Sequence, residues 1–229
     1  RPPKTHDRAQ NAERRRQEST ETGLVRPDEL AHPLSLLTHS RLNHPLAHLI
    51  SNASKSKLED LHQVCFGSNE TVWAVDSRGH RVHHFEQNGK LIKTIGTGIA
   101  GNGPKELNYP KGVAVSPDRI DHQGSSVFIG ENVNNRISEF NQSDGAFVRV
   151  LDTPGLMGPF AICLSPDETT LAVACPDRHC IMMFRVDGSE APSTIGGEMG
   201  SGDGQLYFPH DARFTPDGQQ LVVADRKNH

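Results

Sequence analysis

From His62 onward the chain is a succession of short apolar runs, rich in Val, Ile, Leu and Phe, separated by polar breaks that carry Gly, Pro, Asn or Asp. Short runs with β-branched residues, bounded by turn formers, predict strands. The runs fall into matching sets. One run (Val72 to Val75, Val127 to Ile129, Leu171 to Ala174, Leu221 to Ala224) ends at Asp76, Glu131, Cys175 or Asp225. Five or six residues later a second run carries Val82 and Phe85, Ile137 and Phe140, or Ile181 and Phe184. A turn with Gly89, Gly145 or Gly188 then leads into a further strand.

The run that opens each set repeats more closely. Tyr109-Pro110-Lys111-Gly112-Val113-Ala114-Val115-Ser116-Pro117-Asp118 matches Phe208-Pro209-His210-Asp211-Ala212-Arg213-Phe214-Thr215-Pro216-Asp217 at a constant offset of 99 residues. The same offset matches Gly101, Gly103 and Leu107 with Gly200, Gly202 and Leu206. Halfway between lies Pro159-Phe160-Ala161-Ile162-Cys163-Leu164-Ser165-Pro166-Asp167, and a weaker first copy begins Leu61-His62-Gln63-Val64-Cys65-Phe66. The strand ends Asp76, Glu131, Cys175 and Asp225 are 55, 44 and 50 residues apart. Four short strands recurring at about 40–50 residues predict the blades of a β-propeller.

The unit resembles the NHL-repeat family of β-propellers. The matching stretches are Asn108-Tyr109-Pro110-Lys111-Gly112-Val113-Ala114-Val115, Val127-Phe128-Ile129-Gly130-Glu131, Asn135-Arg136-Ile137 and Phe140. The resemblance covers His62 to His229 and is strongest in the second and fourth copies; the third has Cys175 where the others have an acid. It implies an all-β, NHL-type propeller with blades over 62–96, 107–151, 159–196 and, incomplete, 206–229. Propellers of that family usually close with six blades. About three and a half blades would leave two unpaired edges, so the expectation is a fragment of a larger ring.

The residues ahead of the repeats read differently. Residues 1–29 are polar, with a basic cluster Arg14-Arg15-Arg16 and no apolar period, which predicts an arm that is disordered or held by another chain. Over 30–61 short apolar clusters are broken by Pro33 and Pro45, a short helical or irregular lead-in. The first residue is Arg1, so a processed or cut N-terminus is expected. The 21 Gly and 15 Pro argue against a helical bundle. No apolar run approaches the roughly 18–20 residues of a membrane span. Residues 1–52 carry eight Lys/Arg against six Asp/Glu, and the remaining 177 carry 16 against 22. Nucleic-acid affinity rests on neutralising phosphates, so an acidic body makes a nucleic-acid partner unexpected.

Candidate chemistry is sparse. Gly96-Thr97-Gly98-Ile99-Ala100-Gly101 has the spacing of a dinucleotide-binding turn, but Asn102-Gly103-Pro104 follows in place of a helix, so an inter-blade loop is expected. Asp76 with Arg81 and Glu131 with Arg136 share one spacing, an acid at a strand end and an Arg five residues on. Both read as near-surface ion pairs that staple a loop. Cys65, Cys163, Cys175 and Cys180 lack paired CxxC spacing and read as buried free thiols. His83 and His84 face opposite sides of one strand, and His179 falls in a hairpin turn as a solvated or packed residue.

His62 and His210 align at the start of the innermost strand in copies one and four, where Lys111 and Phe160 stand in copies two and three. Innermost strands line a propeller's channel, so both imidazoles are expected to face the axis and could hold zinc or calcium. Leu61-His62 and Pro209-His210 look similar to the Pro-His segments that carry channel zinc ligands in the peptidyl-α-hydroxyglycine α-amidating lyases. The Asn132-Val133-Asn134 loop has no counterpart of that family's catalytic tyrosine. The expected function is therefore a non-catalytic binding or scaffold module with a protein partner. The alternative is a metal-dependent lyase or lactone hydrolase.

Overall fold

The computed structural model describes residues 58–67, 70–116 and 125–228. The expected arm (1–29) and almost all of the lead-in (30–61) lie outside these residues. Strands β1 (Leu61–Phe66), β2 (Val72–Asp76), β3 (Arg81–Phe85) and β4 (Leu91–Ile95) form a first sheet in that order. The second sheet is β5 (Pro110–Ser116), β6 (Ser126–Glu131), β7 (Arg136–Asn141) and β8 (Phe147–Val150). The third is β9 (Ile162–Leu164), β10 (Thr170–Cys175), β11 (Cys180–Arg185) and β12 (Ser193–Gly196). Strands β13 (Pro209–Phe214) and β14 (Leu221–Asp225) pair as a two-stranded sheet. All neighbours are antiparallel, and no α-helix occurs among the described residues. The described residues are all-β, with the meandering four-stranded sheets of β-propeller blades.

What holds these sheets together lies between them. Alternation sends successive side chains to opposite faces. In β6, Val127 and Ile129 pack with Trp73, Val75 and Val82 of the first sheet, while Phe128 packs with Leu171, Val173 and Phe184 of the third. A third seam joins Ala172, Ala174 and Ile181 to Ala212, Phe214 and Val223. The middle strands are covered on both faces, so β2 and β6 are buried at every residue, whereas β4, β8 and β12 at the rim are largely exposed. Each fully buried Phe or Ile in a seam contributes about 1.5–3 kcal/mol. One smaller cluster, Val72, Ala74 and Phe85 with Val64, lies within the first sheet itself.

At Gly112 the innermost strands approach too closely for a side chain. A Cβ on Gly112 would lie 2.9 Å from both the Ile162 nitrogen and the Phe160 oxygen. Glycine at this position is a packing requirement. Gly96, Gly98 and Gly101 lie in the loop between β4 and β5, folded back by a parallel bridge between Ala100 and Leu107. Met199 and Leu206 make the same bridge one double repeat later.

Candidate binding site at the starts of the innermost strands

One hydrogen-bonding scheme recurs at the hairpin end of the blades. The acid closing each second strand accepts a backbone N–H from the segment leading into that blade. Asp76 Oδ1 takes Glu59 N–H at 3.0 Å, Glu131 Oε2 takes Asn108 N–H at 3.1 Å, and Asp225 Oδ1 takes Tyr207 N–H at 2.8 Å. Four residues beyond the strand end, a residue with positive φ reaches into the next blade. His80 Nδ1 accepts from Tyr109 N–H at 3.2 Å, Asn135 Oδ1 from Gly158 N–H at 2.7 Å, and His179 Nδ1 from Phe208 N–H at 3.2 Å. His179 is thus neither simply solvated nor simply packed: it latches the third blade to the fourth. The signal was present in the sequence, since His80 and His179 lie 99 residues apart, the offset of the repeat.

The two expected ion pairs differ. Arg136 Nε donates to Glu131 Oε1 at 2.7 Å, and Ser138 Oγ and Asn134 Nδ2 also donate to this carboxylate, at 2.5 and 2.7 Å. Glu131 is completely buried, so the near-surface placement expected of this pair is corrected: it is an internal charge with four donors. Arg81 makes no ion pair with Asp76. Its guanidinium lies over Gly98, and Nη2 donates to Thr97 O at 3.4 Å. Aspartate is one methylene shorter than glutamate. Asp76 Oδ1 is committed to the N–H groups of Glu59, Asp60 and Gly79, and Oδ2 lies 3.9 Å from His83 Nε2.

At this same end the inner strands carry the four aligned positions His62, Lys111, Phe160 and His210. A β-bulge interrupts the register at Leu61/Val64, Pro110/Gly112 and Pro209/Asp211, so three of these residues sit in a bulge, which re-aims a side chain. All four gather around Phe160. The His62 ring meets it edge-on at 4.3 Å between centroids, the His210 ring lies at 4.4 Å, and Lys111 Nζ stands 5.7 Å above it. Gln63, absent from sequence reasoning, laces the centre. Its amide donates to Ile162 O at 3.0 Å and its oxygen accepts Val113 N–H at 2.9 Å, tying β1 to β5 and β9. A single Gln offered no periodic signal by which to single it out.

The partners fix the state of each imidazole. A carbonyl only accepts, so His62 Nδ1, 3.0 Å from Lys111 O, carries the proton and leaves Nε2 with its lone pair. A guanidinium only donates, so His210 Nε2, 3.3 Å from Arg226 Nη1, is the acceptor and Nδ1–H is the free donor. Burial, and behind it the charge of Lys111, holds His62 below the usual histidine range; burial, then Arg226, does the same for His210. Both shifts favour the neutral ring. This arrangement does not fit a shared zinc or calcium ion, since the His210 lone pair is directed at Arg226 and Phe160 stands against both rings. Among the described residues no group of three His, Cys, Asp or Glu is placed to hold a metal. Of the other candidates, His83 and His84 do face opposite sides: His83 Nδ1 lies 2.9 Å from Thr94 Oγ1, and His84 stacks on Trp73 at 4.0 Å.

The fold has counterparts among solved structures. The chain is similar to hydrazine synthase of Kuenenia stuttgartiensis, with a TM-score of 0.55 and 19% identity over 73% of this chain and 42% of that one. It is also similar to virginiamycin B lyase of Staphylococcus aureus, in a catalytically inactive histidine-to-alanine variant with quinupristin. There the TM-score is 0.53 and identity is 17% over 74% of this chain and 50% of that one. The selenomethionine form of that lyase gives 0.51 and 18%, over 72% of this chain and 48% of that one. The chain thus spans half or less of the length of these proteins. No known family profile matches its sequence.

Proposed function

We propose that the chain is a binding module of NHL type whose recognition surface is the hairpin end of its blades. One observation carries this reading. Four residues that are equivalent in the repeat yet chemically different converge on one point: two imidazoles, an ammonium and an aromatic ring. A structural repeat position would call for one residue type, and a mixed set on a rigid frame is the pattern of a recognition site. The loops at this end also expose Ile99, Val133, Met157 and Met199, the apolar residues a protein interface buries. The centre offers His210 Nδ1–H and Lys111 Nζ, the latter in a loose 3.9 Å pair with Asp60 Oδ2, as donors beside Phe160, which suits a partner segment presenting a carboxylate next to an apolar side chain.

The test is selection of linear peptides from a random display library on the full chain. Enriched peptides are expected to carry an acidic residue, and to lose binding to Lys111→Glu and to Met199→Asp. Peptides that bind both variants as well as the original chain would overturn this surface as the site.

A second reading, a lyase, draws on the likeness to virginiamycin B lyase and on the free Nε2 of His62, which could take a proton. Its metal-dependent form would require Arg226 to withdraw from His210. Elemental analysis of the full chain decides that form. One equivalent of zinc, lost in both His62→Ala and His210→Ala, would establish the metal site, and its absence from the unaltered chain would remove it.

A further inference from the structure

Cys175 and Cys180 stand where the first sheet has Asp76 and Arg81 and the second has Glu131 and Arg136, paired directly across the second and third strands. Residues directly opposite in an antiparallel pair lie about 4.5–5.5 Å apart at Cα, within the span that a disulfide bridges. Both residues are buried, at 0% and 1% exposure. The two thiols influence each other's ionisation, and Cys175 S–H donates to Val173 O at 3.8 Å. The Cys175 sulfur in turn meets Met157 N–H, the repeat equivalent of the N–H groups that Glu131 and Asp225 accept. Arg178 places its positive charge on both thiols, and its guanidinium is anchored to Gly155 O at 2.6 Å.

We propose that Cys175 and Cys180 are a modification site for hydroperoxides, closing an intrachain disulfide that staples the third blade's hairpin as the Glu131–Arg136 pair staples the second. The two sulfurs have different roles. Hydrogen bonding from Cys175 holds Cys180 below the usual thiol range, against the effect of its burial, while Cys175 is held above it. Cys175 keeps its proton on Val173 O, and Cys180 opens β11 two residues from the Arg178 charge, so Cys180 is assigned as the thiolate that attacks. Its sulfur bonds to one peroxide oxygen as the O–O bond breaks, giving a sulfenic acid and hydroxide, which takes up a proton to become water. Cys175 then attacks that sulfur. The S–S bond forms, the S–O bond breaks, and the departing hydroxide leaves as water with the Cys175 proton. Two thiols and one hydrogen peroxide become one disulfide and two waters. Hydrogen peroxide is small enough to follow a brief opening of the hairpin tip, where Asp177 and Arg178 are exposed.

The experiment treats the folded full chain with hydrogen peroxide, blocks remaining thiols with an alkylating agent, and maps peptides by mass spectrometry. The expected product links the Cys175 and Cys180 peptides, weighs two hydrogens less than the reduced pair, and reverts on reduction. Cys65 and Cys163 should remain alkylatable. In Cys175→Ser, Cys180 should be trapped as a sulfenic acid by a 1,3-dione; in Cys180→Ser, Cys175 should stay unreacted. A link between Cys65 and Cys163, a link between chains, or a Cys175–Cys180 link that forms only after denaturation would each overturn the proposal. The peptide map of the unaltered chain stands even if a variant fails to fold.

Discussion

The hairpin between β6 and β7 and the one between β10 and β11 occupy the same place in the repeat and solve the same problem with different chemistry. In the second sheet a buried carboxylate collects Asn108 N–H, Asn134, Ser138 and Arg136, and Arg136 carries the connection on to Asn102 O at 2.8 Å. In the third, a thiol pair occupies that space, Met157 N–H meets a sulfur, and Arg178 ties the incoming loop through Gly155 O instead. A buried charge must have all its partners, because a missing one leaves the charge uncompensated. A thiol makes no such demand. The second hairpin is therefore an all-or-none network, and the third is tolerant and chemically adjustable. The first sheet stands between them: Asp76 keeps the backbone donors and lets the Arg go.

The sharpest test of this contrast is removal of the acid. Glu131→Ala strands the donors Asn108 N–H and buried Ser138 Oγ and leaves half-buried Arg136 with only the Asn102 and Glu106 carbonyls. It should cost about 3–5 kcal/mol, whereas Cys175→Ala should cost only about 1 kcal/mol. Urea unfolding of both variants checks the difference, and equal costs would collapse the distinction. Next in size is a graft. Cys175→Glu and Cys180→Arg alone should each cost about 2–3 kcal/mol, and the double variant should recover about 1–2 kcal/mol of their sum. Strict additivity in the same measurement would mean that the third hairpin cannot adopt the second's network.

The latches come next. His179→Ala removes the acceptor of Phe208 N–H and should cost about 0.5–1.5 kcal/mol, with faster amide exchange at Phe208 alone. Exchange quickening across all of β13 would assign His179 a wider role. A smaller effect separates the first hairpin from the second: Arg81→Ala should change stability by less than about 0.5 kcal/mol. In an Asp76→Glu background, which supplies the missing methylene, the same change should become about 1 kcal/mol more costly. A cost above about 2 kcal/mol for Arg81→Ala alone would show that Arg81 holds the loop through Thr97 and Gly98.

Acid should part the seams, an effect that is nil at neutral pH. His84 stacks on Trp73 in the seam of the first two sheets; neither ring nitrogen has a hydrogen-bond partner, and burial, then Lys93, pushes its pKa down to about 4. As pH falls below the ordinary 6.5 the unfolded chain takes up this proton before the folded one. The stability His84 contributes is thus complete above about pH 6.5, is lost between there and about pH 4, and is level below. Amide exchange in β3 should quicken over that range before exchange in β10, and His84→Phe should reduce the difference, the rest coming from His83 on the same strand, which burial also holds below the usual histidine range.

The repeat itself was open to reading because the middle strands are buried on both faces and so read as short apolar runs, while period, turn residues and strand-closing acids recur along the chain. The convergence of His62, Phe160 and His210 was legible in part, from alignment alone. The bulges that aim these residues, and the Arg226 guanidinium that occupies His210, were not, since neither leaves a periodic trace.

Sequence alone determined how many strands the described blades have, which residues close them, and which positions are equivalent, because local alternation and turn chemistry act within a few residues. Only the tertiary structure decided the rest. It placed Glu131 in the interior, left Asp76 and Arg81 apart, drew Gln63 across three blades, and set Cys175 beside Cys180. Each of these depends on distances across strands and between sheets. One methylene, or one bulge, decides there which groups meet, and no pattern along the chain encodes that distance.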